Sequence, residues 1–390
     1  MQNMKICFIS NYMNHHQLAL CKEVIKYVGI NNFCFICEEE ITLERIKLGY
    51  KELFDESFCI KGYLEKEKSK DIILKADIII NTACLGSKFI KEANKKKKIV
   101  FWYYERLYKD YNLLKTIAKF FREIYRLYFI YNKNTYFLCA SSYGYSDIEK
   151  FHNKTFNNHC FKWGYFPNVF SNTKRIRDSK ISFLFVGRLI DWKHPLQIID
   201  IGLYLVKKGI DFRIDIVGTG EESEKLNDLI NNYNLNNSIH LIGSLPFNKV
   251  SEYYLKDDFF LFLSDRREGW GAVLNESMSY GCIPIANNEA GSTNFLVENK
   301  ENGFVYSSKK ELLKAIDSCI EIKNSEKFIE MSDKAKRTID NLWNYKVAAN
   351  RFCKICESLL ENKELPIYVD GPMTKEQKNK YSKTYYKEKI

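Results

Sequence analysis

Along most of this chain, short runs rich in β-branched and aromatic residues alternate with longer amphipathic stretches, and no other property constrains the fold as strongly. Strand, crossover helix and parallel strand produce such an alternation. In the first half the runs are KICFIS, NFCFIC, ADIIIN, KIVFWYY and TYFLCA, each followed by a polar turn and a helical stretch. A second series starts at ISFLFVG and continues through FRIDIVG, SIHLIG, DFFLFLS and CIPIA, several of them running straight into glycine or serine. The class is α/β, and 390 residues exceed what one hydrophobic core usually serves, so two domains are expected. The polar stretch SNTKRIRDSK parts the two series and puts the boundary near Thr173. This predicts an N-terminal domain over 1–172, a second domain over 173–340, and a segment 341–390 that is helical, packs back toward the first domain and ends in a lysine-rich tail from MTKEQK onward. Two doubly wound parallel sheets facing each other would leave a cleft lined by the carboxyl ends of their strands, where ligands bind.

The hydrophobic fraction of 45% and charged fraction of 28% are those of a soluble protein, and no stretch offers eighteen uncharged apolar residues. The opening MQNMKICFISNYM lacks the apolar core and small-residue cleavage site of a secretory signal, so a cytoplasmic location is expected. There the twelve cysteines would stay reduced, most as small core residues. Cys34 with Cys37 and Cys353 with Cys356 could in principle supply four thiolates to zinc, but the first pair lies in a strand-like run and the second in a helical pattern. The formal charge of +11 calls for an anionic partner. No zinc finger, basic zipper or aromatic single-strand motif accompanies it, which sets nucleic acid below nucleoside diphosphates and anionic lipid.

Chemistry concentrates in the second half. FVGRLIDWKHP delivers Arg188 and Lys193 just beyond a strand, and two fixed cations there suit a diphosphate; alone, they read equally well as solvated charges. DRREGWGAVLNESMSYG then follows another strand and holds Glu268 and Glu276 with seven residues between them, among which Gly269 and Gly271 allow close backbone approach. A helix is predicted from about Ala272 to Gly281, with Glu268 in the loop and Glu276 one turn in. The amides at that helix start attract an anion, and two carboxylates accept from hydroxyl groups, so sugar and ribose on either side of a diphosphate would satisfy the set.

These residues resemble the retaining GT-B glycosyltransferases of family four. The resemblance covers roughly Ile181 to Tyr306 and rests on GRL with its lysine five residues after the arginine, IVGTG, IHLIGSLP, the Glu-x7-Glu motif and CIPIANNEAGSTNFLVENKENGFVY. It implies two Rossmann-like domains and transfer of a hexose or N-acetylhexosamine, with retention, from a nucleotide diphosphate sugar to a saccharide or lipid-linked hydroxyl. A UDP-sugar is the expected donor, and neither a metal nor a further cofactor is implied. By the same resemblance Arg188 and Lys193 hold the diphosphate, Glu268 contacts the sugar and Glu276 the ribose. The amides of Gly269, Trp270, Gly271 and Ala272 lie against the sugar, while Gly218, Ser244 and Leu245 approach the base. Asn294 departs from the pattern, standing where many relatives have glutamate. GTGEES lacks the third glycine of a dinucleotide fingerprint and places two glutamates at the helix start, and there is no phosphate loop of the NTPase kind. A GT-B-fold sugar-nucleotide epimerase and a non-catalytic sugar-nucleotide-binding scaffold share the fold and remain as alternatives.

The first half is less readable. NYMNHHQ puts His15 and His16 after the leading strand, where they could contact phosphate or acceptor or simply bond the backbone at a helix start. The run KIVFWYY ends in Glu105 and Arg106, which are acceptor-side candidates. In YNLLKTIAKFFREIYRLYFIYNK, Leu113, Ile117, Phe120, Ile124 and Leu127 form one helical stripe, and Lys115, Lys119, Arg122 and Arg126 form another on the opposite face. With Lys95 to Lys98 this basic face suits an anionic membrane surface, as it also suits plain exposure to water.

Overall fold

The computed structural model describes residues 4–42, 46, 56–82, 87–107, 113–152, 156, 158–168, 175 and 179–375. Thr173 and the tail beyond residue 375 lie outside them. The chain divides into two compact units, one comprising 1–168 with 344–390 and the other 169–343.

Unit 1 holds seven parallel strands: β1 (Ile6–Ser10), β2 (Phe33–Cys37), β3 (Cys59–Lys61), β4 (Ile78–Asn81), β5 (Ile99–Tyr104), β6 (Thr135–Cys139) and β7 (Cys160–Lys162), in the spatial order β3-β2-β1-β4-β5-β6-β7. Unit 2 holds six: β8 (Ile181–Val186), β9 (Phe212–Val217), β10 (Ile239–Gly243), β11 (Phe259–Phe262), β12 (Ile283–Asn287) and β13 (Phe304–Tyr306), in the order β10-β9-β8-β11-β12-β13. Every predicted run is a strand. The three-residue strands β3, β7 and β13 were not predicted from periodicity, and all three sit at sheet edges, where a strand makes one row of hydrogen bonds and can be short. Interior strands such as β8 and β11 are buried on both faces, which is why they read as unbroken apolar runs.

Each sheet is filled outward in both directions from an interior strand. In unit 1 the order reverses between β1 and β4, and in unit 2 between β8 and β11. At such a point the loops from two neighbouring strands turn away to opposite faces and leave a crevice at the carboxyl edge. Ser10 and Asn81 end the strands that flank the first crevice, and Gly187 and Leu263 follow those that flank the second.

The helix Tyr345–Leu360 belongs to unit 1 and packs against the helix His15–Val28, with the Tyr27 hydroxyl donating to Glu357 at 2.8 Å. Phe352 is fully buried and meets Phe101 of β5 at 5.1 Å and Trp163 at 5.9 Å between ring centroids. Cys353 and Cys356 are buried in this helix, and among the described residues no three His, Cys, Asp or Glu side chains cluster as metal ligands. The predicted tail is anchored at its start. Met373 and Thr374 are buried, and the Met373 amide donates to the Lys162 carbonyl at the β7 edge. No helix among the described residues is long and apolar enough to cross a membrane.

Phe352→Ala removes a ring wedged between Phe101 and Trp163, at a cost of about 3–5 kcal/mol. Since the loss falls on unit 1, hydrogen exchange should lose protection over β5 and β7 while β8 to β12 stay protected; equal loss in both units would contradict the division.

Candidate functional site

In unit 2 the loop after β8 runs through Gly187 and Arg188 into a single 3-10 turn, Asp191–Lys193, and the loop after β11 runs from Leu263 to the helix Ala272–Ser279. The two meet at the crevice. Lys193 Nζ donates to Glu268 Oε2 at 2.5 Å, and the Ser264 hydroxyl donates to the same oxygen at 3.0 Å. Both side chains of the ion pair are nearly enclosed, at 12% exposure each. Lys193 also sits over the Trp192 ring at 4.8 Å. Arg188 is exposed, and its carbonyl accepts from the Ile190 amide at 3.1 Å.

A second link between these loops was not read from sequence. The Asp265 amide donates to the Trp192 carbonyl at 2.9 Å, and the Asp265 carboxylate receives His194 Nε2 at 3.3 Å and Arg267 at 2.8–3.2 Å. Arg267 reaches on to Asp191 at 2.7 Å. Burial pushes the Asp265 carboxyl up, but the hydrogen bonds from His194 and Arg267 outweigh it and hold the group well below the usual carboxylate range. Arg267 thereby serves to tie the two loops together. The signal lay in the charged string DRRE directly after a strand.

Glycines let the loops approach. Gly218, with φ of 141°, lies so close to the loop after β8 that a Cβ there would stand 1.9 Å from the Gly187 carbonyl oxygen. Its amide donates to Gly243 at 2.9 Å, and Thr219 and Ser244 share a hydrogen bond of 2.9 Å. Gly218 and Ser244 thus adjoin the loop after β8; Ser244 is exposed and Leu245 half-buried. Gly271 caps the helix Ala272–Ser279 with φ of 83°, and a Cβ would strike the Phe262 ring at 2.4 Å. As predicted, Glu268 stands in the loop and Glu276 one turn into the helix.

The Trp270 side chain is buried against Trp343 and Phe295, and the indole N–H donates to Asn275 at 2.7 Å, which agrees with a role expected only of its backbone amide. Glu276 is buried too, with the Tyr254 hydroxyl donating to Oε2 at 3.1 Å. Burial raises its carboxyl to about 7, against the smaller opposing effect of the Tyr254 bond. In the AGSTNF loop, the Gly291 amide donates to the Glu268 carbonyl at 3.2 Å and the Ser292 hydroxyl to Trp270 O at 2.5 Å. Asn294 donates to the Asn288 carbonyl at 3.3 Å.

Unit 1 has its own crevice, a cavity of about 330 Å³ bordered by Asn81, Glu105 and Arg106. Tyr165 donates to Glu105 at 2.7 Å and lies edge-on to His16, with 6.2 Å between rings, so the structure groups these two candidates. Asn14 caps the helix that starts at His15, whose side chain lies outside the described residues. Arg106 is buried with its guanidinium 4.0 Å above the Tyr143 ring.

The two stripes expected of the helix Leu113–Phe129 do not divide into one inward and one outward face: Leu127 packs on the core of unit 1 and Ile124 is half-buried, while Ile117, Phe120 and Arg122 are exposed. Arg126 is buried, donating to Glu123 at 2.6 Å and to the Tyr104 hydroxyl at 2.8 Å, and Lys119 and Arg122 line the cavity beside it. The outward stripe is Leu114, Ile117, Phe121, Tyr125 and Tyr128, all exposed. The buried Glu123, which also accepts from Tyr104 and Tyr131, is what draws Arg126 inward. The side chains of Leu113 and Lys115 lie outside the described residues.

Residues 169–338 match the family described as glycosyl transferases group 1. An uncharacterized glycosyltransferase of Haemophilus influenzae is 33% identical over 157 residues, covering 40% of this chain and 43% of that protein. The capsular polysaccharide biosynthesis glycosyltransferase CapH of Staphylococcus aureus is 30% identical over 119 residues, 30% of this chain and 32% of its own. These matches therefore span less than half the length of either relative. Among solved structures, Alr3699/HepE of Anabaena, in complex with UDP, superimposes with a TM-score of 0.66 at 16% identity, over 92% of this chain and all of that one. This likeness identifies the fold as GT-B, two Rossmann-like units of parallel α/β structure.

The raised carboxyl of Glu276 has a consequence for stability. With a folded value near 7 against 4.5 ordinarily, the protonated form favours folding, and that contribution is complete at low pH and lost as pH rises through 7. Glu276→Gln, which never ionises, should therefore gain on the parent between pH 4.5 and 7, up to about 3 kcal/mol. Denaturant titrations at pH 5 and pH 8 measure it, and an equal difference at both would show that the carboxyl is not so displaced.

Proposed function

We propose that this chain, which belongs through residues 169–338 to the glycosyl transferases of group 1, is a retaining hexosyltransferase or N-acetylhexosaminyltransferase using a nucleotide diphosphate sugar. The observation that carries the reading is the enclosed Lys193–Glu268 pair at the β8/β11 crevice, with exposed Arg188 on the adjoining loop and buried Glu276 on the adjoining helix. A diphosphate entering there takes the Lys193 ammonium and the Arg188 guanidinium, and Glu268, released from Lys193, turns its oxygens to sugar hydroxyls. Glu276 accepts from ribose hydroxyls as a carboxylate. As the glycosidic bond to the diphosphate breaks, negative charge grows on the leaving phosphate where two cations and the amides of the Ala272–Ser279 helix start already stand. These groups supply the positive charge that a metal ion would otherwise bring, and the acceptor hydroxyl attacks the face the diphosphate leaves. The UDP in the similar Anabaena structure favours a uridine donor, and the capsular role in the name of the Staphylococcus relative favours a cell-surface saccharide or its lipid-linked precursor as acceptor.

Peripheral attachment to a membrane is part of the reading, now through the outward stripe Leu114, Ile117, Phe121, Tyr125 and Tyr128 instead of the basic face. Exposed apolar side chains repeating at three and four residues suit the interfacial region of a bilayer.

A panel of nucleotide sugars tests the assignment. Slow donor hydrolysis supports a transferase, epimer formation an epimerase, and binding without turnover a scaffold. Lys193→Ala should lower turnover about 10²–10³-fold, as loss of one preorganised charge-stabilising donor does; a wild-type rate would sink the site. For the membrane, Phe121→Ser with Tyr128→Ser should abolish co-sedimentation with vesicles containing phosphatidylglycerol, and unchanged recovery with the lipid would reject the stripe.

A further inference from the structure

The cavity of unit 1 carries an unusual combination of groups. Asn81 ends β4 at the point where strand order reverses; it is 1% exposed, and neither its side-chain oxygen nor its nitrogen has a hydrogen-bond partner. Leaving a buried amide unsatisfied costs about 1–3 kcal/mol per group, so a side chain of this kind facing a cavity marks a place where a ligand completes the bonding. Four cations border the same space: Arg106, and Lys119, Arg122 and Arg126 from the helix Leu113–Phe129. Against them stand Glu105 on the rim, engaged by Tyr165 at 2.7 Å, and Glu123 behind Arg126 at 2.6 Å. A third carboxylate, Asp147, is buried nearby and accepts from the Leu107 amide at 3.0 Å, and Glu123 also pairs with Arg122 at 3.5 Å.

The placement of these cations is built. Arg106 is buried with its plane set over Tyr143, and Arg126 is held by Glu123 and Tyr104 over the Trp102 ring at 4.8 Å. Lys119 and Arg122 project from the same helix face three residues apart, which on a helix makes them neighbours. A phosphate suits a cavity bordered by these basic side chains, and guanidinium groups can grip its oxygens bidentately. Asn81, with both a donor and an acceptor, suits a hydroxyl beside the phosphate.

We propose that this cavity binds an acceptor carrying a phosphate group, with Arg106, Lys119 and Arg122 facing the phosphate and Asn81 a neighbouring hydroxyl. The inference rests on the transferase reading for the word acceptor, but the recognition of phosphate stands on unit 1 alone. A soluble sugar phosphate and the head of a lipid both present this phosphate, and the chemistry at the cavity is the same.

The test uses the full chain carrying Lys193→Ala, so that phosphate binding in unit 2 is weakened. Calorimetric titration should detect glucose 1-phosphate at least tenfold more tightly than glucose, with affinity falling as salt rises. Vesicles of phosphatidylcholine with and without phosphatidic acid form the lipid arm. Preference for glucose 1-phosphate assigns a soluble source, and preference for phosphatidic acid vesicles without it assigns a lipid source. In either case the added pair Lys119→Gln and Arg122→Gln should weaken the favoured phosphate ligand tenfold or more. Arg122→Lys, keeping the charge, should recover part of that loss. The proposal is overturned if glucose binds as well as its phosphate and neutral vesicles as well as acidic ones, or if the double substitution leaves binding unchanged. Donor hydrolysis by the unaltered chain is read separately: its absence would count against the transferase reading and would not touch the phosphate result.

Discussion

A parallel sheet that grows in both directions from an interior strand must, at one place, send two adjacent loops apart, and both candidate sites in this protein depend on that constraint. In unit 2 the reversal between β8 and β11 sets Lys193 beside Glu268, although 75 positions separate them in the chain. In unit 1 the reversal between β1 and β4 brings Ser10 and Asn81 to one crevice. Nothing about the individual side chains would produce these pairs. They follow from which strands are neighbours, and the strands are neighbours because apolar runs buried on both faces need helices above and below them.

Each crevice also holds a polar group that the folded chain does not satisfy cheaply. Glu276 is buried with one hydroxyl partner and a carboxyl raised to about 7, and Asn81 is buried with neither end of its amide bonded. Other buried carboxylates are bonded more fully: Asp258 is held by the Ser182 amide and hydroxyl and paired with Lys323, and Asp215 accepts from His240 and Lys256.

Much of this was legible in the sequence, and the gaps have physical causes. Interior strands could be read because burial on both faces leaves a continuous apolar run, whereas Cys59–Lys61, Cys160–Lys162 and Phe304–Tyr306 are too short to show any period. The loop positions of Arg188, Lys193 and Glu268 could be read because the apolar runs before them end abruptly in charge and glycine. The Asp265 link could not, since its partners His194 and Arg267 come from two loops that only strand order unites. On the helix Leu113–Phe129 the buried side is not the one that periodicity marks as apolar: Arg126 is buried and Ile117 and Phe120 are exposed. Periodicity shows that two faces differ, but where one is basic and the other aromatic it does not say which is buried. The deciding residue is Glu123, the one acid within that helix, whose burial requires cations around it.

The Lys193–Glu268 pair shows how a charged site can be held ready at modest cost. An isolated ammonium with 12% exposure would be strongly disfavoured, and so would an isolated carboxylate, but together they offset each other's loss of water. A ligand offering phosphate oxygens to one and hydroxyl donors to the other replaces both partners at once, so neither charge is left bare during the exchange. A ligand with only a phosphate would pair Lys193 and strand Glu268; one with only hydroxyls would do the reverse. Selection for molecules that carry both groups then arises from the pair itself, because the energetic penalty for leaving either charge unpartnered falls on every incomplete ligand.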